Sequence, residues 1–209
     1  MRFEIDGELD GPTNMARDTA LLEARELACR VYYWNGPWVS LGRFQNPARD
    51  IVEGTQVPWV MRPTGGKAVL HGHDVTVGLA VPLRAIDCTP RELKKAYRRL
   101  IEPLAEALRH SGLNAVLAET TSHQSKGQKT ADCFAFNSAN DVVDAETGHK
   151  VCGCALQVTE DSILLQASIP YRTPAIDPAK VIREASTASV KAWDPGAFAA
   201  NLEQALRYN

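Results

Sequence analysis

The stretch from Thr89 to Gly112 constrains the fold more than any other part of the chain. Leu93, Ala96, Tyr97, Leu100, Ile101, Leu104 and Leu108 recur at helical period, so one face of a long helix must be buried against another element. Thr89 reads as an N-cap, Pro90 as the first helical residue, Glu92 as the reciprocal member of a capping box, and Gly112 as the stop. The spacing predicts a helix over Pro90–His110, kinked at Pro103.

The segments on either side supply strands to cover that face. Arg30–Trp34 and Trp38–Leu41 read as a hairpin joined by Asn35-Gly36-Pro37, Pro58–Arg62 as a further strand, and Val69–Pro82 as one or two more. Beyond the helix, Asn114–Glu119 is strand-like, and Val142–Val143 can pair with Val151–Thr159 across Asp144–His149. Ser162–Pro170 alternates, with Ile163, Leu165, Ala167 and Ile169 on one face. Gly11-Pro12-Thr13 opens a helix over about Asn14–Leu27, and Asp194-Pro195 caps a final helix bearing Phe198, Leu202 and Leu206. Thr120–Lys129, polar and aperiodic, reads as an exposed, mobile loop. This order is not regular βαβ. It predicts an α+β fold, with a mixed, largely antiparallel sheet packed against helices. No repeat, linker or low-complexity block divides residues 1–209, which are expected to form one domain.

With a formal net charge of -2 the protein has no overall field that would draw it to nucleic acid or to an anionic membrane surface. No apolar run is long enough to span a bilayer, and Met1–Asp6 contains no stretch of the signal-peptide type, so a cytoplasmic location is expected. The cysteines, Cys29, Cys88, Cys133, Cys152 and Cys154, are odd in number and read as free thiols. Cys152-Gly153-Cys154 is too tightly spaced for a metal knuckle, and no metal site is expected.

Two constellations carry potential chemistry. In the first, Arg62–Asp74, paired glycines let the backbone turn sharply and approach a ligand. Arg62 and Lys67 are candidates to hold phosphate or carboxylate oxygens, and His71 or His73 to donate to a carbonyl. The plainer alternative is a glycine turn among solvated charges. The glycine spacing is not that of a Walker A loop. The second constellation is Cys133 with Lys150, a thiol that a nearby cation would activate. Here the plainer alternative is a buried small hydrophobe and a solvated lysine.

Four segments, taken in order, resemble the biotin/lipoate protein ligase and octanoyltransferase superfamily over nearly the whole chain. They are Gly11–Ala16 with Asp18, Ser40–Pro47, Arg62–His71, and Gly148–Val151 with Gly153 and Ala155. The resemblance implies an enzyme that places octanoyl, lipoyl or biotinyl groups on a lysine of a small carrier domain. It assigns Arg43, Arg62, Thr64, Gly65, Gly66, Lys67, Ala68, Val69, His71, Gly153 and Ala155 to acyl or ligand binding, and Lys150 to the reacting centre. Cys133-Phe134 stands where one class of octanoyltransferases carries its nucleophile, and Thr64–His71 is closer to the transferase loop than to the ligase one. The leading expectation is therefore transfer of an octanoyl or lipoyl group from acyl carrier protein, through a Cys133 thioester, to a lipoyl domain of a 2-oxoacid dehydrogenase or to a glycine cleavage H protein. No cofactor is required in that reading. An alternative is ATP- and Mg²⁺-dependent lipoate ligation with an accessory subunit, since Asn140-Asp141 resembles the ligases' metal-proximal pair. A non-catalytic acyl- or carrier-binding protein is the third reading, and biotin transfer is disfavoured.

Overall fold

The computed structural model describes residues 1–185, 190–191 and 193–208. In chain order the elements are β1 (Arg2–Leu9), α1 (Gly11–Ala24), β2 (Ala28–Trp34), β3 (Val39–Leu41), the single turn α2 (Pro47–Asp50), β4 (Trp59–Met61), β5 (Val69–Leu70), β6 (Asp74–Pro82), α3 (Leu93–His110), β7 (Ala115–Leu117), β8 (Val142–Asp144), β9 (Lys150–Val158), β10 (Ser162–Pro170) and α4 (Phe198–Tyr208). Seven strands form one sheet in the order β1-β2-β6-β10-β9-β8-β7, and β4-β3-β5 form a smaller one. In the large sheet only β1 and β2 run parallel; the remaining pairs are antiparallel, as the mixed α+β expectation requires.

Alternation along the central strands divides the sheet into two unlike faces. Val75, Val77, Leu79 and Val81 of β6 join Ile163, Leu165, Ala167 and Ile169 of β10 against Leu100, Ile101, Leu104 and Leu108 of α3 and Phe198 and Leu202 of α4. The intervening residues face the other way. There Leu21 and Leu22 of α1 meet Ala28, Ala80 and Leu164, while Asp74, Thr76, Gln166, Ser168 and Arg30 form a buried polar surface. The site is built on this second face.

Several local expectations are corrected. The first helix begins at Gly11, capped by the Asp10 carboxylate accepting from the Thr13 N–H, and ends at Ala24 because Arg25 turns left-handed at φ 54. The long helix begins at Leu93, not Pro90. Glu92 accepts from the Thr89 N–H and hydroxyl, so half of the capping box forms, but it closes a separate turn ahead of the helix. β2 and β3 are not a hairpin: they belong to different sheets, and the Asn35–Pro37 turn carries the chain from one to the other. The edge strand β1 was not predicted. Its apolar side is thin, Phe3, Ile5 and Leu9 alternating with charged residues around Gly7, and Ile5 remains 66% exposed. The Thr120–Lys129 segment is largely exposed but not aperiodic in its bonding. It pairs back on Ala135–Asn137 through Ser125 N–H to Asn137 O and Gln128 N–H to Ala135 O. Among the described residues no helix is long and apolar enough to cross a membrane.

Candidate active site

The glycine loop leaves β4 at Arg62 and returns through β5, crossing the polar face of the large sheet. Its shape is held from inside by Arg62. The guanidinium donates from Nε to Thr64 Oγ1 (3.1 Å), from Nη1 to the Ser40 carbonyl and hydroxyl (3.0 and 3.2 Å), and from Nη2 to the Gly65 and Lys67 carbonyls (2.7 Å each). An arginine has five N–H donors, and all are used here. Burial pushes its pKa down to about 10. Arg62 therefore braces the loop from within, and it also lines the narrow cavity described below.

His71 is likewise committed. Nδ1 lies 2.7 Å from Asp74 Oδ2, Nε2 lies 2.8 Å from Ser40 Oγ, and the ring stacks on Trp34 at 3.9 Å. Asp74 is fully buried, which works against its charge, but His71 and the Ser168 hydroxyl outweigh burial and bring its pKa to about 2. Thr64 donates to Gln166 Oε1 at 2.7 Å, and Gln166 Nε2 donates to Asp18 at 2.6 Å, so the loop is tied to α1 through β10. Gly42 is obligatory, since a Cβ there would collide with the Gly66 carbonyl. Lys67 is the exception in the loop. Its Nζ is buried with no hydrogen-bond partner among the described residues, and burial lowers its pKa. Arg43 is exposed, lies over the Phe44 ring and lines neither of the cavities described below.

The loop also recruits Cys133. Ala68 N–H donates to Ala131 O and Cys133 N–H to Ala68 O, both at 2.9 Å, a short parallel bridge that sets the Cys133 turn beside the loop. Lys150, at the start of β9, brings Nζ to 3.4 Å from Cys133 Sγ, 2.8 Å from Cys133 O and 2.8 Å from Asp141 Oδ2. The lysine side chain is only 4% exposed, so it is not the solvated residue of a hairpin turn. Burial acts against its ammonium, but Cys133 and Asp141 prevail and move its pKa well above the ordinary lysine value. Burial also raises the Cys133 thiol, with Lys150 and Arg62 pulling it down and Asp141 and Asp132 pushing it up. At rest the pair is a neutral thiol beside a charged lysine.

Gly153 faces this pair. A Cβ on it would lie 3.0 Å from Cys133 Sγ and 3.4 Å from Lys150 Cε. Cys152 and Cys154 sit on either side of it, 3.4 Å apart at Sγ, with Cys152 buried in the core beneath α3. The Cys154 contact and burial hold the Cys152 thiol protonated, which leaves Cys133 as the thiol within reach of a cation. All the cysteines are free.

A narrow cavity of about 30 Å³ runs from Cys133, Gly153 and Ala155 past Gly66 and Val69 to Met15, Tyr32 and Trp34. The role of Asp141 beside Lys150 escaped the sequence because a β-bulge between Val142 and Val143 offsets the β8–β9 register. Gln166 was missed, and Ser40 and Asp74 were named only as members of their segments, because each lies on a strand whose alternation announces only its apolar face.

A mixed sheet with a glycine loop on its polar face and a lysine opening β9 is the architecture of the biotin/lipoate protein ligase and octanoyltransferase superfamily. Residues 10–207 match the lipoyl protein ligase A/B catalytic domain, and the chain belongs to that family. It is 34% identical over 178 residues to the octanoyltransferase LipM of Halalkalibacterium halodurans, covering 79% of this chain and 63% of that relative. Against the octanoyltransferase LipM of Bacillus subtilis the identity is 32%, with the same coverage. The chain thus spans 63% of the length of these relatives. Among solved structures, lipoate-protein ligase A bound with ATP matches with a TM-score of 0.76 at 20% identity, covering 99% of this chain and 84% of that one. A chain from the lipoylation system of Thermoplasma acidophilum, a bi-partite lipoate protein ligase and its E2 lipoyl domain, matches with a TM-score of 0.68 at 18% identity, covering 99% and 80%. At such identities these structures establish the fold.

Proposed function

We propose that the protein transfers an octanoyl or lipoyl group from acyl carrier protein, through a thioester on Cys133, to a lysine of a lipoyl domain or of a glycine cleavage H protein. The observation that carries this reading is the buried Lys150 ammonium 3.4 Å from the Cys133 thiol, which itself lines a narrow slot. Cys133 Sγ attacks the donor carbonyl while its proton passes to the departing thiol, so one thioester replaces another. Lys150 stabilises the transient thiolate and the developing oxyanion, and the buried Lys67 ammonium is a second donor for that oxygen. The neutral amine of the acceptor lysine then attacks, and its proton returns to the Cys133 thiolate by way of Lys150. Met15, an unbranched thioether in the slot wall, is the side chain best suited to give way to an acyl chain.

The LipM relatives support the transferase reading over ATP-dependent ligation. So does the engagement of Asp141, which is bonded to Lys150 and to the Ser138 N–H and would have to release both to hold Mg²⁺. With Arg62 spent on the loop, a triphosphate loses a further candidate partner. A binding-only protein has no use for a desolvated Cys–Lys pair. Intact-mass analysis after incubation with octanoyl acyl carrier protein tests the proposal. An octanoyl adduct on Cys133 that disappears when a lipoyl domain is added is the expected result. Undiminished transfer by Cys133→Ala overturns it.

A further inference from the structure

The Asp132-Cys133-Phe134 turn is a partition between two cavities. Cys133 lines the narrow slot described above, whereas Asp132 and Phe134 line a second cavity of about 240 Å³ on the other side, and Lys150 lines this one. A thioester carbonyl at Cys133 carries two substituents that diverge from one trigonal carbon. If the acyl chain occupies the slot, the other substituent needs separate space, and the second cavity adjoins the same lysine.

The walls of that cavity state what it accepts. Leu70, Leu113, Val151, Pro170 and Trp193 make it largely apolar. His73 is buried in its wall, and its Nδ1 has no hydrogen-bond partner among the described residues. Burial lowers the His73 pKa below 6.5, so the ring is neutral at pH 7 and its open nitrogen suits an uncharged amide or hydroxyl. The carboxylates of Asp132, Asp144 and Glu146 also line the cavity, while its two lysines are already paired, Lys150 with Asp141 and Lys191 with Asp144, each at 2.8 Å. Among the described residues, a polyphosphate would meet these acids with no unpaired lysine in the wall to offset them.

We propose that this second cavity seats the non-acyl half of the donor: an extended, uncharged, amide-bearing thiol arm of the pantetheine type, with His73 Nδ1 bonded to one of its polar groups. The proposal rests on the transfer reading above and adds to it where the carrier's arm lies. Octanoyl-pantetheine and the truncated octanoyl-N-acetylcysteamine present the same thioester, so the ratio of their kcat/KM values for acylating Cys133 isolates the arm. That ratio is expected to be about tenfold or more in favour of pantetheine, the scale of one or two hydrogen bonds with apolar burial. It falls toward one in His73→Phe, recovers in part in His73→Asn, and falls in Glu146→Trp, which plugs the cavity from an exposed position. Equal rates for the two donors, or a ratio untouched by both His73→Phe and Glu146→Trp, overturn the proposal. Competition by ATP with Mg²⁺ at micromolar concentration also overturns it, by assigning the cavity to a nucleotide. Failure of both donors to acylate Cys133 is distinguishable from these results, because it sinks the transfer reading itself.

Discussion

Asp141 and Lys150 form an ion pair from which water is excluded, 2.8 Å apart with side chains 5% and 4% exposed. Asp141 Oδ2 also accepts from the Ser138 N–H, so the carboxylate is fixed before it fixes the lysine. The lysine is thereby aimed at Cys133, and its charge is kept despite burial. A lone buried ammonium would lose its proton. Asp141 is a positioning residue by this argument.

Asp141→Asn leaves that ammonium without its counter-charge. Removing one partner of a buried pair costs about 3–5 kcal/mol, and urea denaturation at pH 7 should show a loss in this range. The pH dependence has a definite sign. The folded Lys150 pKa lies above the ordinary value because Cys133 and Asp141 overcome the effect of burial. The associated stability is therefore complete below the unfolded lysine pKa of about 10.4, and is lost only as pH rises through the elevated folded value. The wild-type contribution is therefore flat from about pH 6 to about pH 9, whereas the unpaired Lys150 of Asp141→Asn sheds its proton on burial, so the stability gap should narrow as pH rises across that window. A gap that stays constant from about pH 6 to about pH 9 removes the ion-pair explanation.

The Cys133 thiol predicts its own reactivity. Burial holds its pKa above the ordinary value of 9.0, with Lys150 opposing. Alkylation by iodoacetamide should be slow at pH 7 and climb past pH 9, the reverse of a preformed thiolate whose rate is already level there. In Lys150→Met the opposing cation is gone, and the rate at pH 8 should fall by about tenfold, equivalent to about one pKa unit. Peptide mapping separates Cys133 from Cys154. Fast alkylation at neutral pH in the wild type would contradict the neutral resting pair.

Arg62→Lys tests whether the loop is braced or whether Arg62 serves the substrate. Lysine keeps the charge but cannot reproduce a planar fork reaching Ser40, Thr64, Gly65 and Lys67 together. Losing several of these buried bonds should cost about 2–4 kcal/mol of stability. A variant as stable as wild type, with only KM raised, would instead make Arg62 a ligand contact.

Much of this was legible in the sequence, and the failures have physical reasons. The alternation of Ile163, Leu165, Ala167 and Ile169 gave β10 with its boundaries, because one face of the strand packs in the apolar core while the other carries Gln166 and Ser168. The loop and Lys150 were found as residue types in order, and their convergence on Cys133 is real. Their division of labour was hidden, since charge alone does not tell a brace from a ligand holder. Arg62 and His71 spend their polar atoms inside the protein, and Lys67 does not. The β2–β3 turn looked like a hairpin because the local turn chemistry is the same whether the next strand pairs or crosses to another sheet.

Gly153 offers the sharpest test of the geometry at the site. A single methyl at this position would sit 3.0 Å from Cys133 Sγ, 3.4 Å from Lys150 Cε and 3.5 Å from Phe134 Cζ. The backbone there is an ordinary strand paired with Ser168, so alanine brings no conformational penalty and the fold should survive. The sulfur must give by a few tenths of an ångström, while the lysine and the phenyl ring stay at ordinary van der Waals distance. Misplacement of reacting groups on the ångström scale costs about 100-fold in rate. Gly153→Ala should therefore keep its unfolding free energy, from urea denaturation, within about 1 kcal/mol of wild type, while Cys133 acylation at saturating donor slows by about 10- to 100-fold. Serine should be no better, because its Cβ meets the same sulfur. An alanine variant that acylates at the wild-type rate would show that Cys133 and Lys150 do not react from the positions they occupy here.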